Sequence, residues 1–337
     1  MSRKVFDYAG ISTIEVEGPK NLLERIAENV EEEIEDSLSP SCRIKINQSE
    51  SPVEIEKNKQ FAYLTINKTG TAKQPAIRYT RYNTHVRTIH QKSPNNYEVY
   101  ANVALDESSG LICIRNHLSN HPELTQYPLL HASLINIDGA GILIPGNSKQ
   151  GKTTLATYLL QEQEASFISD ENVILDEKQL KGLYVPRTPR VRFSTIAESG
   201  LSKVLGDISI ANATQYIDPD AIKRIIDAPS FDIDAGIAFS RKVFCDLLGT
   251  ISQESSFVDV VLFPIYKEGG NLKVRKLGSE EGVQRLSKTG LIRKSHIDPK
   301  ELKETVINLN ASNFKGVDFV EVGFSGLETL RQGGFRI

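Results

Sequence analysis

The sequence has few of the features that mark disulfide-bonded, metal-binding or membrane-spanning proteins. Its three cysteines, Cys42, Cys113 and Cys245, lie far apart and form neither a metal motif nor a disulfide framework, as is typical of a reducing cytosol. No apolar run approaches the roughly 20 residues that cross a bilayer, and no signal-peptide core follows Met1. We therefore expect a cytoplasmic protein without a membrane partner.

An excess of positive charge is also missing. The 40 Lys and Arg residues face 43 Asp and Glu residues, giving a formal net charge of −3, which argues against a general nucleic-acid binder. Hydrophobic residues make up 39% of the 337 positions, enough to bury a full core. A chain of this length predicts two domains, or one domain with a substantial N-terminal addition.

A glycine-rich stretch, Gly146–Thr154, fits the phosphate-binding (Walker A) pattern G-x4-G-K-[ST] without a mismatch. Its two glycines let backbone N–H groups point inward around a polyphosphate. Lys152 brings a mobile positive charge to the β- and γ-phosphates, and Thr153 offers a hydroxyl to Mg²⁺ where the next helix starts. The alternative is a glycine-rich turn that binds nothing. The predicted nucleotide site consists of Gly146, Asn147, Ser148, Lys149, Gln150, Gly151, Lys152, Thr153 and Thr154.

The segments around this loop have the patterns that a phosphate-binding loop requires. Gly141–Pro145 is predicted as a buried strand, and Thr154–Leu160 as a helix. Before them, Leu129–Ile137 is predicted as a strand, which Asp138–Gly139 joins to the loop strand by a two-residue turn. Because a hairpin feeds the loop, in place of a helical crossover, we expect a sheet that is at least partly mixed or antiparallel.

A Mg²⁺-bound triphosphate also needs a carboxylate near the metal, commonly at the end of a distant apolar strand. The apolar strand predicted at Val258–Phe263 ends in Pro264 and offers no such carboxylate. The available pair is Asp170 and Glu171, one helix after the loop. Without a nucleotide site nearby, such a pair would be a helix cap or turn Asp beside an exposed Glu.

Residues 1–125 are predicted as an α+β domain in which no pattern indicates a ligand. Ile11–Glu17 alternates like a strand, and Pro19 opens a helix whose apolar stripe continues to Ile34. The pattern of Gly110–His121 is ambiguous and fits either a helix or a strand followed by a loop. His117 and His121 are four residues apart, but no third metal ligand is visible, so we expect surface or loop histidines. Further strands are predicted at Cys42–Asn47, Phe61–Ile66, Ala76–Thr80, His85–His90 and Tyr97–Ala104.

From His131 through Gly146–Thr154 to Ser169-Asp-Glu171, the chain resembles the kinase domain of the HPr kinase/phosphorylase family. That family is related to ATP-dependent phosphoenolpyruvate carboxykinase, and the chain is most similar to HPr-kinase-like proteins of uncertain acceptor. The family places a histidine on the strand before the loop strand, and an acidic pair after the loop, where this chain has His131 and Asp170-Glu171. The resemblance implies a P-loop kinase domain with a mixed sheet at residues 126–337, beside the smaller α+β domain at 1–125.

The resemblance also implies roles for individual residues. Lys152, His131, Asp170 and Glu171 would be catalytic, and Thr153 with Asp170 or Glu171 would hold Mg²⁺ beside ATP. One carboxylate of the pair would accept the proton of the acceptor hydroxyl, and the motif does not settle which. His131 taken alone would more often be a satisfied core histidine. The family is often oligomeric, so by analogy a homo-oligomer is allowed.

Two differences from the family bear on the acceptor. The second acidic residue is Glu171, where HPr kinases carry Asp, and no Glu-Arg-Gly-type segment follows it. These differences argue against HPr as the acceptor and against the phosphorylase reaction. We expect transfer of the ATP γ-phosphate to a hydroxyl of Ser or Thr in a peptide or protein. The alternatives are a kinase acting on a small-molecule alcohol, and a nucleotide-gated ATPase or binding module.

A basic segment after the acidic pair offers further candidate residues. Arg190 and Arg192 alternate on one strand face, where they could clamp a phosphate or an anionic acceptor. A solvated strand edge is the preferred interpretation of this pattern. Arg187 belongs to the same segment, and Arg241, at the start of a later helix, is a weaker candidate.

Further helices are predicted near Glu280–Leu286 and at Pro299–Leu309, and both are interpreted as scaffold.

Overall fold

Two units of mixed helix and sheet make up the part of the chain that the computed structural model describes. The described residues are 2–30, 32–34, 40–48, 67–69, 76–81, 85–93, 96–101, 107–147, 149–201, 236–291 and 304–337. The first unit lies within Met1–Thr125, and the second within Gln126–Ile292 and Lys303–Ile337. No helix in the described ranges is long and apolar enough to span a membrane.

The first unit is built on an eight-stranded sheet. Its strands are β1 (Ser2–Tyr8), β2 (Ser12–Gly18), β3 (Glu32–Glu33), β4 (Cys42–Gln48), β5 (Asn67–Thr69), β6 (Ala76–Arg81), β7 (His85–Ser93) and β8 (Asn96–Ala101). They lie in the order β3-β1-β2-β4-β8-β7-β6-β5, and the helices are α1 (Lys20–Ala27), α2 (Glu107–Asn120) and α3 (Pro122–Thr125). This mixture fits the predicted α+β class, while the strand predicted at Phe61–Ile66 lies outside the described residues.

The helix predicted from Pro19 to Ile34 is wrong beyond its second turn. α1 ends at Ala27, and the side-chain amide of Asn29 donates to the carbonyl of Arg25 at 3.0 Å. The chain then joins the sheet, where the N–H of Ile34 donates to the carbonyl of Val5 at 3.0 Å. The apolar stripe therefore continues across a turn and a strand edge, because pairing with β1 replaces the helical hydrogen bonds.

The ambiguous segment before residue 121 is helical. Gly110 lies within α2 and packs closely against α1. A larger side chain has no room there, because a Cβ at this position would lie 2.5 Å from Cδ1 of Ile26. The prediction of a surface histidine is wrong for His117, which is buried with its Nε2 2.8 Å from Oγ of Ser12. Burial lowers the pKa of His117 to about 4, with nearby His121 acting in the same direction, so the ring is neutral near pH 7.

The second unit contains a seven-stranded and a six-stranded sheet, and a separate pair of strands. Its strands are β9 (Leu129–Leu130), β10 (Ala132–Ile137), β11 (Ala140–Pro145), β12 (Ala165–Ser169), β13 (Val173–Asp176), β14 (Lys181–Tyr184), β15 (Arg190–Arg192), β16 (Gly236–Ala238), β17 (Ile251–Ser252), β18 (Ser255–Phe257), β19 (Val260–Tyr266), β20 (Lys273–Leu277), β21 (Gly290–Leu291), β22 (Glu304–Thr305) and β23 (Asp318–Phe324). The orders are β17-β12-β10-β11-β19-β23-β20, β18-β14-β13-β9-β21-β22 and β15-β16.

Five described α-helices and a 3₁₀ turn complete this unit. They are α4 (Lys152–Glu162), α5 (Phe193–Glu198), α6 (Arg241–Leu248), α7 (Ser279–Ser287), α8 (Leu327–Gln332) and the turn at Ala311–Phe314. α7 matches the predicted helix near Glu280–Leu286. The helix predicted at Pro299–Leu309 lies partly outside the described residues and is wrong after that, because β22 occupies Glu304–Thr305 and pairs with β21.

The hairpin predicted before the loop is confirmed. β10 and β11 are antiparallel, with Ile137 opposite Ala140 and positive φ angles at Asp138 (50°) and Gly139 (90°), as a two-residue turn requires. β11 then pairs in parallel with β19, and β23 in turn pairs antiparallel with β20. The sheet is therefore mixed, as expected from a hairpin that feeds the loop directly.

Both faces of this hairpin are covered. Ile135 and Ile142 share a buried cluster with Leu155 of α4 on one face. On the other face the six-stranded sheet approaches so closely that Cβ atoms have no room at two glycines. A Cβ at Gly182 would lie 2.5 Å from Cδ2 of Leu134, and one at Gly141 would lie 1.7 Å from the Phe257 carbonyl oxygen.

The apolar strand predicted at Val258–Phe263 begins at Val260 and runs further than predicted. β19 continues through Pro264 to Tyr266, which pairs with Phe324 of β23. Its ladder with β11 stops at Val261, so only one side of β19 is paired at Pro264. A strand with one unpaired side tolerates a missing N–H, which is why the proline does not end it.

Replacing Gly141 by alanine should lower the free energy of unfolding by about 3 kcal/mol, because the new methyl group would overlap the Phe257 carbonyl and force the backbone to move. Gly278→Ala is the matched control, since no atom lies within 4 Å of its Cβ position and its φ is −68°. Because Gly278 is the N-cap of α7, where alanine is less favourable than glycine, its effect should be a loss of at most about 1 kcal/mol. Denaturant titration measures both, and equal stabilities would contradict this packing.

Candidate active site

The glycine-rich loop lies between β11, which ends at Pro145, and α4, which begins at Lys152. Gly151 caps the helix with a φ of 92°, and a Cβ there would lie 2.7 Å from Cζ of Phe324. The N–H of Asn147 donates to the side-chain oxygen of Gln150 at 2.7 Å, which closes the turn. The structure places Gly146, Asn147, Lys149, Gln150, Gly151, Lys152, Thr153 and Thr154 in this loop and first helical turn, and Ser148 lies outside the described residues.

His131 interrupts the single strand predicted at Leu129–Ile137, which is therefore wrong as one element. β9 and β10 belong to different sheets, and His131 forms the bend between them. Its N–H donates to the carbonyl of Thr289 at 2.7 Å, and its carbonyl accepts the N–H of Gly146 at 3.1 Å. The second bond ties the start of the loop to the bend, so the His131 side chain is held beside the loop.

Lys152 is buried, with 4% of its surface exposed. Its Nζ lies 3.2 Å from Nε2 of His131 and 3.4 Å from the carbonyl oxygen of Asn147. Among the described residues no carboxylate forms an ion pair with it, although Asp170 and Glu171 are close enough to act through their charge. Burial outweighs these charges and lowers the pKa of Lys152. A bound anion would therefore stabilise the charged form of this side chain.

Asp170 follows directly after β12 and is buried. Its Oδ2 accepts the Thr153 hydroxyl at 3.0 Å, and its Oδ1 accepts the hydroxyls of Thr153, at 3.2 Å, and Ser133. Burial raises the pKa of the Asp170 carboxyl, and the neighbouring charge of Glu171 acts in the same direction. The described surroundings do not fully compensate its negative charge, a situation that suits a cation.

Glu171 has different partners from its neighbour. Its Oε2 lies 3.1 Å from Nε2 of His131, and 27% of its side chain is exposed. Burial opposes its ionisation, but the hydrogen bond with His131 and the charges of Arg187 and Lys152 hold its pKa well below the usual range. Its φ of 67° is left-handed, an unusual conformation for a residue with a side chain and one that occurs often at functional sites.

The donor set fits a magnesium ion. Thr153 with Asp170 or Glu171 would hold it through hard oxygen atoms, which Mg²⁺ prefers. Within the described ranges, no group of three or more His, Cys, Asp and Glu side chains could hold a metal alone. Phosphate oxygens and water would supply the other ligands, as is usual for Mg²⁺ at nucleotide sites.

The arginines predicted as alternative candidates separate into two groups. Arg187 donates to Oδ1 of Asn172 at 2.9 Å and acts on Glu171 and Lys152 through its charge. Arg190 is exposed on β15, which agrees with the preferred interpretation of a strand edge. Arg192 departs from it, because it is half-buried and its charge acts on Lys152. Arg241 is buried and stacks over the ring of Tyr184 at 4.4 Å, so its contacts are structural.

Sequence reasoning missed Ser133, whose hydroxyl donates to Asp170. The available signal is its spacing of two residues from His131, since side chains two apart on a strand lie on one face. That signal has meaning only once the partner strand is known, because Ser133 meets Asp170 through the pairing of Leu134 with Ser169.

Comparison with known proteins adds little to this picture. No family model matches the sequence, and no curated protein matches it. The chain is similar to the solved structure of the HPr(Ser) kinase/phosphatase from Coxiella burnetii, at 16% identity and a TM-score of 0.25, over 61% of this chain and 95% of that one. A likeness of this size decides neither the fold nor the reaction of this chain, so both depend on its own residues.

The uncompensated charge of Asp170 predicts a pH-dependent effect on stability. Without nucleotide and with EDTA, Asp170→Asn should raise the free energy of unfolding at about pH 8. A raised folded-state pKa means that the folded protein holds the proton more tightly, so native stability falls as the pH rises above the ordinary Asp value of about 3.9. The advantage of the variant should therefore shrink toward about pH 4.

Denaturant titrations across this pH range measure the effect. Asp246→Asn is the control, because Asp246 forms an exposed ion pair with Lys242 and its removal should change stability by at most about 0.5 kcal/mol. An Asp170→Asn protein that is less stable than wild type near neutral pH would contradict the electrostatic description of the site.

Proposed function

We propose that this chain is an ATP-dependent kinase that transfers the γ-phosphoryl group of ATP to a hydroxyl group. The observation that carries the proposal is the division of the acidic pair between two sets of partners. Asp170 contacts Thr153 at the first turn of α4, whereas Glu171 is part-exposed and contacts His131. Phosphoryl transfer to a hydroxyl needs one carboxylate for the metal and another group for the proton. A nucleotide-gated switch needs only the first.

Lys152 supplies positive charge to the phosphates. Its Nζ contacts the backbone carbonyl oxygen of Asn147 and Nε2 of His131, and no carboxylate of the described residues forms an ion pair with it. A phosphate oxygen would therefore give Lys152 a direct anionic partner. The N-terminus of α4, which begins at Lys152, adds partial positive charge at the same place. Together these groups would favour the charge that spreads over the transferring group.

Asp170 and Thr153 are assigned to the metal. Their side-chain oxygens lie 3.0 Å apart and face each other, and the charge of Asp170 is the less compensated of the pair. Mg²⁺ held by these oxygens would neutralise the negative charge that develops on the phosphate oxygens during transfer. Ser133 donates to the same carboxylate and would keep it in this orientation.

Glu171 is assigned to the proton, and His131 positions it. The acceptor oxygen forms the new bond to the γ-phosphorus as the bond to the bridging oxygen of ADP breaks, and the hydroxyl proton passes to Glu171. One ring nitrogen, Nε2 of His131, lies near both Lys152 and Glu171. A phosphate that draws Lys152 toward itself would leave this nitrogen to its hydrogen bond with Glu171. The negative charge of the phosphate would raise the pKa of the Glu171 carboxyl from its lowered value.

The proposed acceptor is a Ser or Thr hydroxyl of a peptide or protein. The part-exposed Glu171 supports a hydroxyl that arrives from solvent, and a small-molecule alcohol could reach the same atom. The solved structure reported above is that of a kinase/phosphatase named for HPr(Ser). The Glu at position 171 and the missing Glu-Arg-Gly-type segment argue against HPr as the acceptor of this chain.

The test follows γ-labelled ATP with Mg²⁺ and the purified protein, alone and with extract of its source cells. Label should appear in one acceptor fraction after polypeptides, peptides and small molecules are separated, and Lys152→Ala should abolish it through lost phosphate binding. Lys276→Ala, at an exposed ion pair with Asp318, is the matched control and should retain full transfer. Label that ends only in free phosphate, or stays in ATP, would contradict the kinase and favour the nucleotide-gated module.

A further inference from the structure

An exposed aromatic residue lies next to the glycine that caps α4. Tyr266, the last residue of β19, has its Cβ 3.5 Å from the position that a Cβ of Gly151 would occupy. The residue is 44% exposed, which is unusual for a large ring at the edge of a closely packed loop. None of the proposed catalytic roles uses it.

The ring of Tyr266 is supported from beneath. It meets the ring of Phe324 edge to face, with centroids 5.9 Å apart and an interplanar angle of 86°. Phe324 is 1% exposed and also contacts the Gly151 backbone position, so it forms a fixed base for both. An aromatic ring held in this way offers a prepared face to a ligand at little conformational cost.

The topology decides which part of a nucleotide would reach this ring. His131, Ser133, Asp170 and Glu171 all come from β10 and β12 or the turns beside them, on one side of β11. β19 lies on the other side of β11 and runs parallel to it, so it ends at the same edge of the sheet. With the γ-phosphate directed toward the acidic pair, the nucleoside would leave the loop on the β19 side.

We infer that Tyr266 forms the stacking surface for the base of the bound nucleotide, on the side of the loop opposite the acidic pair. This inference rests on the proposed function, since it assumes that the loop binds ATP. Stacking uses the π face that every base has, so the contact adds affinity for a nucleoside and little preference among bases. Tyr266 would thereby make the site bind a nucleotide more tightly than a bare polyphosphate.

A fluorescence experiment tests the inference directly, because the chain has no tryptophan. Tyr266→Trp introduces a single one, whose emission should be quenched on titration with Mg²⁺ and ATP but not with Mg²⁺ and tripolyphosphate. Phe257→Trp is the control, at an exposed position (59%) on β18, and ATP should leave its emission unchanged. Equal responses of both variants, or equal quenching by both ligands, would overturn the stacking role.

Affinities of wild-type, Tyr266→Phe and Tyr266→Leu proteins for the same two ligands give a second measurement. The Leu variant keeps apolar bulk over Phe324 but lacks a π face, so it should bind ATP roughly 10-fold more weakly. Its affinity for tripolyphosphate should stay within about two-fold of wild type, and the Phe variant should match wild type for both ligands. Unchanged ATP affinity in the Leu variant would overturn the stacking role alone, whereas absence of ATP binding by wild type would overturn the proposed function with it.

Discussion

β10 pairs with β11 on one side and with β12 on the other, and the candidate site depends on the register of these two ladders. The first ladder ends with Ala132 opposite Pro145, where the loop begins, and the second places Leu134 opposite Ser169, just before Asp170. A shift of one residue would turn Ser133 to the opposite face of the sheet and away from the carboxylate. The buried apolar contacts on both faces of the hairpin hold this register.

The parts of the fold that the sequence predicts well are those determined by neighbouring residues. The two-residue turn at Asp138–Gly139 follows from local backbone preferences, and the loop and α4 follow from a contiguous motif. The family resemblance predicts that Asp170 and Glu171 lie close to this loop. The structure places Asp170 beside Thr153 and Glu171 beside His131. Their chemical roles remain predictions.

The features that the sequence could not predict depend on partners distant in the chain. The predicted helix does not reach Ile34, because the chain there pairs with β1. β19 continues beyond Pro264, because β23 pairs with it at that residue. The bend at His131 exists because β9 and β10 enter different sheets. Tyr266 lies beside the glycine-rich loop only because β19 pairs with β11. Local propensity carries no information about such pairings.

The most direct test of the account compares Glu171→Gln and Asp170→Asn in single-turnover phosphoryl transfer and in ATP binding at varied Mg²⁺. Glu171→Gln should bind Mg²⁺ and ATP like wild type but transfer about 100-fold or more slowly, because it cannot accept the proton. Asp170→Asn should need more Mg²⁺ for both binding and transfer, because a metal ligand has lost its charge. A Glu171→Gln protein that transfers at nearly the wild-type rate would contradict the division of the acidic pair on which the proposed kinase rests.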